Sequence, residues 1–298
     1  MTNSIALAAK YVPFLDGIYK NESKTAMLDS QVRPVNFAGA NVVEVFKTSV
    51  VGLGTYNRNT GFPAGDVTGT WEALTLSKDR GRAFSIDKMD DEETLGQAFG
   101  TLASEFIRTQ VAPELDAYRF ATYAGWSGIQ TTTAAALAAS ADVLNAIDAA
   151  SLALDEEQVP SEGRILFITP TLYRKLLGGI SRYLANETKA ERRLDSLDGI
   201  QIVPVPQSRF YTKILLDAGG SSNAGGYSKD TVGGGVNINF ILMHPSAVLQ
   251  VTKLEEPRIF SPDVNQLASS WLFQYRIYHD AFVYANKVKG VYLHKYTS

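Results

Sequence analysis

The chain has 298 residues, of which 45% are hydrophobic, 20% charged and 10% aromatic, the composition of a folded protein of about two domains, or of one domain interrupted by another. Its net charge of -3 argues against a surface built to neutralise phosphates, and the lack of cysteine excludes disulfides, thiolate nucleophiles and sulfur metal ligands. No run approaches the roughly 18 consecutive apolar residues of a membrane-spanning helix. The short apolar run at 5–9 has no basic residue before it, which makes a poor signal peptide, so the chain is expected to stay in the cytoplasm.

Residues 1–36 mix charge, Pro13 and Pro34 with scattered apolar residues and hold no period of 2 or 3.6, which predicts an extended arm. Residues 41–51 (NVVEVFKTSVV) predict a strand, after which GLGTYNRNTGFPAGD supplies the Gly, Asn and Pro of a long loop. Residues 70–78 and 82–89 then read as two strands joined by Asp79, Arg80 and Gly81, with Gly81 in the left-handed conformation that closes a three-residue hairpin. This register sets Leu76 opposite Phe84, Leu74 opposite Ile86 and Glu72 opposite Lys88. One face is then apolar and is expected to lie on another surface, because a lone two-stranded ribbon is marginal in water.

From Glu93 to about Tyr123 the apolar residues Leu95, Phe99, Leu102, Phe106, Val111, Leu115 and Tyr118 fall mostly three and four apart, one stripe of a helix. Asp90, Asp91, Glu92 and Glu93 suit the positive end of its dipole, and Pro113 is expected to kink it. About 30 residues at 1.5 Å each make roughly 45 Å, nearly the diameter of about 50 Å expected for a compact globule of this length. The helix is expected to act as a spine.

The middle of the chain reads as a separate α/β unit. Ser140 is expected to cap a helix with the stripe Val143, Ile147, Ala150 and Leu154, followed by the apolar strand RILFIT at 164–169. Thr169 and Pro170 then open a helix whose face carries Leu172, Leu176, Ile180 and Leu184. Strands are expected at 200–205 and 236–243, separated by a glycine-rich tip at 218–235 that contains Gly219, Gly220, Gly225 and Gly226. Trp271, Phe273, Tyr275 and Ile277 alternate with polar residues as a half-buried strand, with 281–286 and 291–294 as its expected neighbours.

Signals for chemistry do not converge. The histidines are His244, His279 and His294, with no two-His helical spacing and no G-x-S-x-G elbow. His279 beside Asp280 is the one pair a hydrolase could use. The glycines of 218–235 match neither phosphate-binding fingerprint. Lys189, Arg192 and Arg193, interleaved with Glu187, Glu191 and Asp195, are either a solvated face or a set of ion pairs between subunits. No catalytic residue, cofactor or metal is expected.

The order of elements, the run DDEETLGQAFGTLASEFIRTQVAPELDAYRF at 90–120, MHPSAV at 243–248 and DAFVYANKVKGVY at 280–292 resemble the major capsid proteins of tailed bacteriophages with the Hong Kong 97-type fold. The resemblance spans nearly the whole chain and implies an α+β fold in six parts. These are an N-terminal arm (1–36), a first peripheral strand (37–51), an extended loop (52–90, hairpin 70–89), a spine helix (91–128), an axial domain (129–246) and returning peripheral strands (247–298). It implies self-assembly as hexamers and pentamers into an icosahedral shell around packaged double-stranded DNA, in a virion assembled in the host cytoplasm. The implied partners are further copies of the chain, a separate scaffolding protein, a portal and decoration proteins, with DNA touched only weakly and no membrane.

The interface expected from the hairpin comprises Leu74, Leu76, Lys78, Asp79, Arg80, Gly81, Phe84 and Ile86, with Lys78 placed for the Lys to Asn crosslink some relatives form. The charged loop would contribute Lys189, Arg192 and Arg193, and the four glycines would form a tip facing the symmetry axis. An encapsulin-like compartment shell is the second reading within this fold. A soluble α/β hydrolase using His279 and Asp280 is the reading from a different class.

Overall fold

The computed structural model describes residues 22–31, 36–39, 41–89, 97–132, 136–180, 194–220, 224–265 and 268–296. The arm before residue 22, the acidic run 90–93 and the charged segment with Lys189, Arg192 and Arg193 lie outside the described residues.

The first ribbon is not the one the local pattern predicts. Strand β2 (Val42–Val50) pairs antiparallel with β3 (Val67–Thr75) in unbroken register, from Val42 opposite Thr75 to Val50 opposite Val67. The short β1 (Asn36–Ala38) pairs with the start of β2. The loop at 51–66 is therefore the tip of this ribbon. β4 (Lys78–Asp87) does not fold back on β3; it runs beside β13 (Ser270–Val283), setting Phe84 opposite Phe273 and Ile86 opposite Trp271.

The reason lies in what each partner can bury. A β3–β4 hairpin would leave its apolar face bare, whereas β13 delivers Phe273, Tyr275 and Ile277 to a layer already covered by the spine. Phe84 packs there with ring centroids 4.9 Å from Phe106 and 6.4 Å from Phe273. Gly81 is not a turn residue, since it is absent from the positive-φ glycines. It sits in mid-strand opposite Arg276, where a Cβ would lie 2.9 Å from the Tyr275 carbonyl oxygen.

The spine forms as expected but with an interruption. Helix α1 (Gln97–Phe106) passes through a π-helical turn at Ile107–Val111 into α2 (Ala112–Gly125). Pro113 has no N–H to continue the α ladder, and an inserted π turn just before it absorbs that loss. The buried residues Ile107, Val111, Ala112 and Leu115 keep the stripe continuous across the irregularity.

The α/β unit is a six-stranded sheet in the order β5-β14-β11-β6-β8-β7. Its strands are β5 (Gln130–Thr132), β6 (Ile165–Ile168), β7 (Ser196–Leu197), β8 (Ile200–Pro204), β11 (Ile238–Met243) and β14 (Val291–Lys295). Helices α3 (Ser140–Glu156) and α4 (Pro170–Ile180) cover one face, while α2 covers the other through Phe120 and Tyr123. Both faces are thus buried, which is why β6 and β11 are apolar at nearly every position. Ser140 is the first helical residue of α3, not its cap; the cap position is Ala139, and the Asp142 carboxylate in the first turn reaches back to accept from the Ala138 and Ala139 backbone N–H groups at 3.1 and 2.8 Å.

Three further expectations change. Residues 281–283 continue β13 and are not a neighbouring strand. The neighbour is β12 (Val248–Phe260), paired with β13 along almost its full length. The last strand, β14, pairs with β11 in the six-stranded sheet and is not a neighbour of β13.

Candidate assembly surfaces

The predicted sticky stripe is consumed inside the chain. Leu74 and Leu76 are only 8% and 2% exposed and pack with Val43, Leu249, Val251 and Phe282. Phe84 and Ile86 pack under the spine. The supposed charged tip is no tip: its side chains lie along β4 and pair within the chain. Arg276 donates two hydrogen bonds to Asp79, at 3.0 and 2.6 Å. Arg80 forks onto Glu114 at 2.6 and 3.1 Å and reaches the backbone oxygens of Asp217 and Gly226 at 2.7 and 3.3 Å. Lys78 opens β4 opposite His279, with its ammonium 5.7 Å from the Tyr118 ring centroid, so it is at no ribbon tip. The premise for a crosslinking role at Lys78 is removed.

Gly219, Gly220, Gly225 and Gly226 connect β9 (Ile214–Asp217) to β10 (Gly226–Lys229), a two-stranded sheet. This loop is held against β4 of the same chain. Gly219 and Gly225 have φ of +73° and +78°, and a Cβ on Gly219 would fall 2.6 Å from an Arg82 guanidinium nitrogen. The backbone angle favours glycine at both positions, while the Arg82 end is flexible and could move aside.

Among the described residues, a concentration of exposed large apolar side chains lies on the β2–β3 ribbon and its tip. Phe46 and Trp71 face each other across it, 53% and 56% exposed, with ring centroids 5.0 Å apart. Val50 and Val67 continue that face outward. The other face is buried at its base through Val43 and Leu74, and then closes with a Lys47–Glu72 ion pair at 2.6 Å. The ribbon therefore projects a bare apolar face into solvent from a firmly rooted base, a patch of the kind that marks protein contacts.

The tip is ordered by its own bonds. Asn57 and Gly61 exchange backbone hydrogen bonds at 3.2 and 2.8 Å, and Asn59 N–H donates to the Asn57 side chain at 2.8 Å. Gly61, at φ +82°, turns the chain there. These bonds hold Tyr56 and Phe62 in contact, ring centroids 5.0 Å apart, with Phe62 88% exposed. The sequence reading took GLGTYNRNTGFPAGD as loop chemistry only. The signal it passed over is an Asn-to-Gly turn flanked on both sides by aromatic residues.

A groove of about 830 Å³ opens on another part of the surface, between β4, the spine and the 217–226 loop. Phe84, Phe106, Tyr275 and Ile277 form its apolar floor, and charged side chains stand around its rim.

The hydrolase pair does not form. The Asp280 carboxylate accepts from Ser77 N–H at 2.8 Å, Ser77 Oγ at 3.0 Å, Tyr118 OH at 2.6 Å and the Ala281 N–H at 2.8 Å, and none of these donors is His279. Asp280 instead pins the point where the chain leaves the ribbon for β4. His279 is 2% exposed with no partner for Nδ1. Burial, and then the charges of Arg119, Arg80 and Lys78, push its pKa down to about 3. A general base needs proton affinity near the working pH, and this imidazole lacks it.

That depression has a consequence for stability. The folded chain keeps His279 neutral while the unfolded chain takes up a proton below about pH 6.5. The neutral imidazole's contribution is complete above that pH and is lost as pH falls toward 3, at up to about 1.4 kcal/mol per unit. His244 and His294 are also held below their ordinary value, chiefly by burial. His279→Leu is expected to flatten the acid limb of stability between pH 6 and 4, read from denaturant midpoints. An unchanged limb would show that His279 does not set it.

No protein-family model matches the chain, and no curated protein matches it. Solved structures do. The capsid of the cyanophage P-SCSP1u superposes with a TM-score of 0.62 over 88% of this chain and 85% of that one, at 14% identity. The mature capsid of bacteriophage PhiM1 gives 0.62 over 87% and 83%, at 15% identity. The virus-like particle from Pyrococcus furiosus gives 0.51 over 95% and 99%, at 10% identity. At these identities the likeness is one of fold, over most of the chain.

Proposed function

We propose that this chain, which has the Hong Kong 97-type fold of phage capsid subunits, is a major capsid protein that assembles as hexamers and pentamers into an icosahedral shell around packaged double-stranded DNA. The observation that carries the reading is the β2–β3 ribbon: a rooted strand pair that leaves Phe46, Trp71, Val50 and Val67 bare in the free chain. An isolated monomer gains nothing by exposing them. A shell covers them with the next subunit, each buried large side chain contributing about 1.5–3 kcal/mol before the cost of association. One such contact is weak; closure by symmetry multiplies it.

The arm, and the charged segment with Lys189, Arg192 and Arg193, would add contacts between copies, and the 218–225 loop would face a capsomer axis. A separate scaffolding protein, a portal and decoration proteins are the further partners this role calls for. The net charge of -3 keeps DNA contact weak and non-specific. Phage structures predominate among the solved structures the chain resembles, which favours a phage shell over a cargo-loading compartment. Electron microscopy of the purified chain tests the proposal: capsomers or closed shells are expected, and a uniform monomer or dimer at high protein concentration would overturn it.

A further inference from the structure

The groove between β4, the spine and the 217–226 loop has two features that a role in a shell does not call for. One is His279 in its wall, 2% exposed, with no partner for Nδ1. Leaving a buried polar atom without a hydrogen bond costs free energy, and a ligand that supplies the bond recovers it. The other is Arg82. Arg80 is forked onto Glu114, Glu105 is forked by Arg108, and Asp217 is engaged by contacts of its own. Arg82, also on the groove, has neither an ion pair nor a hydrogen bond with any described residue.

Strand register sets the distance between the two. Arg82 lies opposite Tyr275, and His279 follows four residues along β13 opposite Lys78, so both groups stand on the same side of the β4–β13 pair. Four residues of strand make about 13 Å. Ile277 lies between them, and Phe84 and Phe106 complete the apolar floor.

We propose that this groove binds a medium-chain hydroxy acid, with its carboxylate on Arg82, its alkyl chain over Tyr275, Ile277 and Phe106, and its hydroxyl at His279 Nδ1. The site stands apart from the shell reading and does not depend on it. An extended chain advances about 3.6 Å for every three bonds, so a carboxylate and a hydroxyl about ten to twelve bonds apart span the distance. The groove's volume lies within the roughly 300–1,000 Å³ typical of small-molecule sites. Arginine's planar guanidinium takes a carboxylate through two parallel hydrogen bonds. An imidazole that burial keeps neutral can accept from a hydroxyl without bringing a second charge into the groove. A bilayer is the wrong occupant, since anionic membranes are held by clusters of Lys and Arg and this groove offers Arg82 on a chain of net charge -3.

Titration calorimetry of the full purified chain with 12-hydroxydodecanoate tests the site. Saturable one-to-one binding below about 1 mM is expected. Dodecanoate, which lacks the hydroxyl, is expected to bind about tenfold more weakly, and Arg82→Ala to weaken 12-hydroxydodecanoate by about the same factor. Arg82 is exposed on β4, so this variant should melt like the wild type. His279→Leu is expected to bind the two acids alike, a change that a purely structural role for His279 would not produce. Absence of saturable binding, equal wild-type affinity for the two acids, or unchanged affinity in Arg82→Ala would each overturn the site. Binding to phosphatidylglycerol vesicles in place of the free acid would overturn it as well. Shell formation, scored separately by electron microscopy, is expected in the Arg82→Ala chain whichever way the titration falls.

Discussion

Leu74→Asp unfolds the chain before assembly can begin, whereas Phe46→Asp, three register steps out on the opposite face of the same ribbon, leaves it folded and blocks assembly. Leu74 is 8% exposed among Val43, Leu249, Val251 and Phe282. Replacing it removes packing worth about 2–5 kcal/mol and places a carboxylate among side chains that offer it no hydrogen bond, which costs several kcal/mol more or drives its protonation. Against a total stability of about 5–15 kcal/mol, that sum is enough to abolish the fold. Phe46 is half-exposed, so Phe46→Asp forfeits mainly its contact with Trp71, about 1 kcal/mol. Circular dichroism melts of the two variants separate these outcomes. A Leu74→Asp chain that melts like the wild type would place Leu74 on a free surface and contradict the core described above.

Asp116→Ala carries the second large effect, and it concerns the N-terminal segment. Asp116 is fully buried on α2 and its carboxylate accepts from Ser23 Oγ at 2.7 Å, Lys24 N–H at 2.8 Å, and Thr25 N–H and Oγ1 at 3.1 and 2.7 Å. Arg209 completes the set at 3.1 Å. One carboxylate thus ties residues 23–25 to the spine and neutralises a guanidinium that is itself largely buried. Its removal strands a buried cation and several donors, which costs about 3–5 kcal/mol. A fall in melting temperature of roughly 10 °C is expected, with new protease cleavage around residues 22–31. Asp116→Asn keeps one acceptor and is expected to fall in between. Wild-type melting in Asp116→Ala would mean that the segment is held by Leu28 and its apolar neighbours alone.

The elements that could be read from the sequence are those whose evidence is local. The spine stripe from Leu102 to Tyr118, the buried run RILFIT and the Thr169–Pro170 helix start each declare themselves within a dozen residues, because helical period, continuous apolarity and proline geometry are short-range signals. The β3–β4 hairpin had the same local credentials and was wrong. Its outcome depended on β13, about 190 residues later, whose aromatic face competes for β4. Period-2 alternation says that a segment is a strand, never which strand it joins.

The assembly surfaces followed the same rule. Leu74 and Phe84 look sticky in isolation, and only the arrival of β12, β13 and the spine shows that they are already covered. Tyr56 and Phe62 sat in a stretch whose glycines and asparagines masked an ordered turn. Asp116 could have been suspected: it falls three residues before Arg119 and seven before Tyr123, so the helical wheel puts all three on one face, and a carboxylate on a buried face calls for donors.

On the shell reading, the β2–β3 ribbon exists to be covered by a neighbour. A reconstruction of assembled particles at subnanometre resolution tests this most directly. Closed shells are expected in which density for residues 42–75 crosses onto an adjacent subunit, with Phe46, Trp71 and the Tyr56–Phe62 tip buried in that contact. Shells in which the ribbon folds against its own subunit, or projects uncovered into solvent, would contradict it.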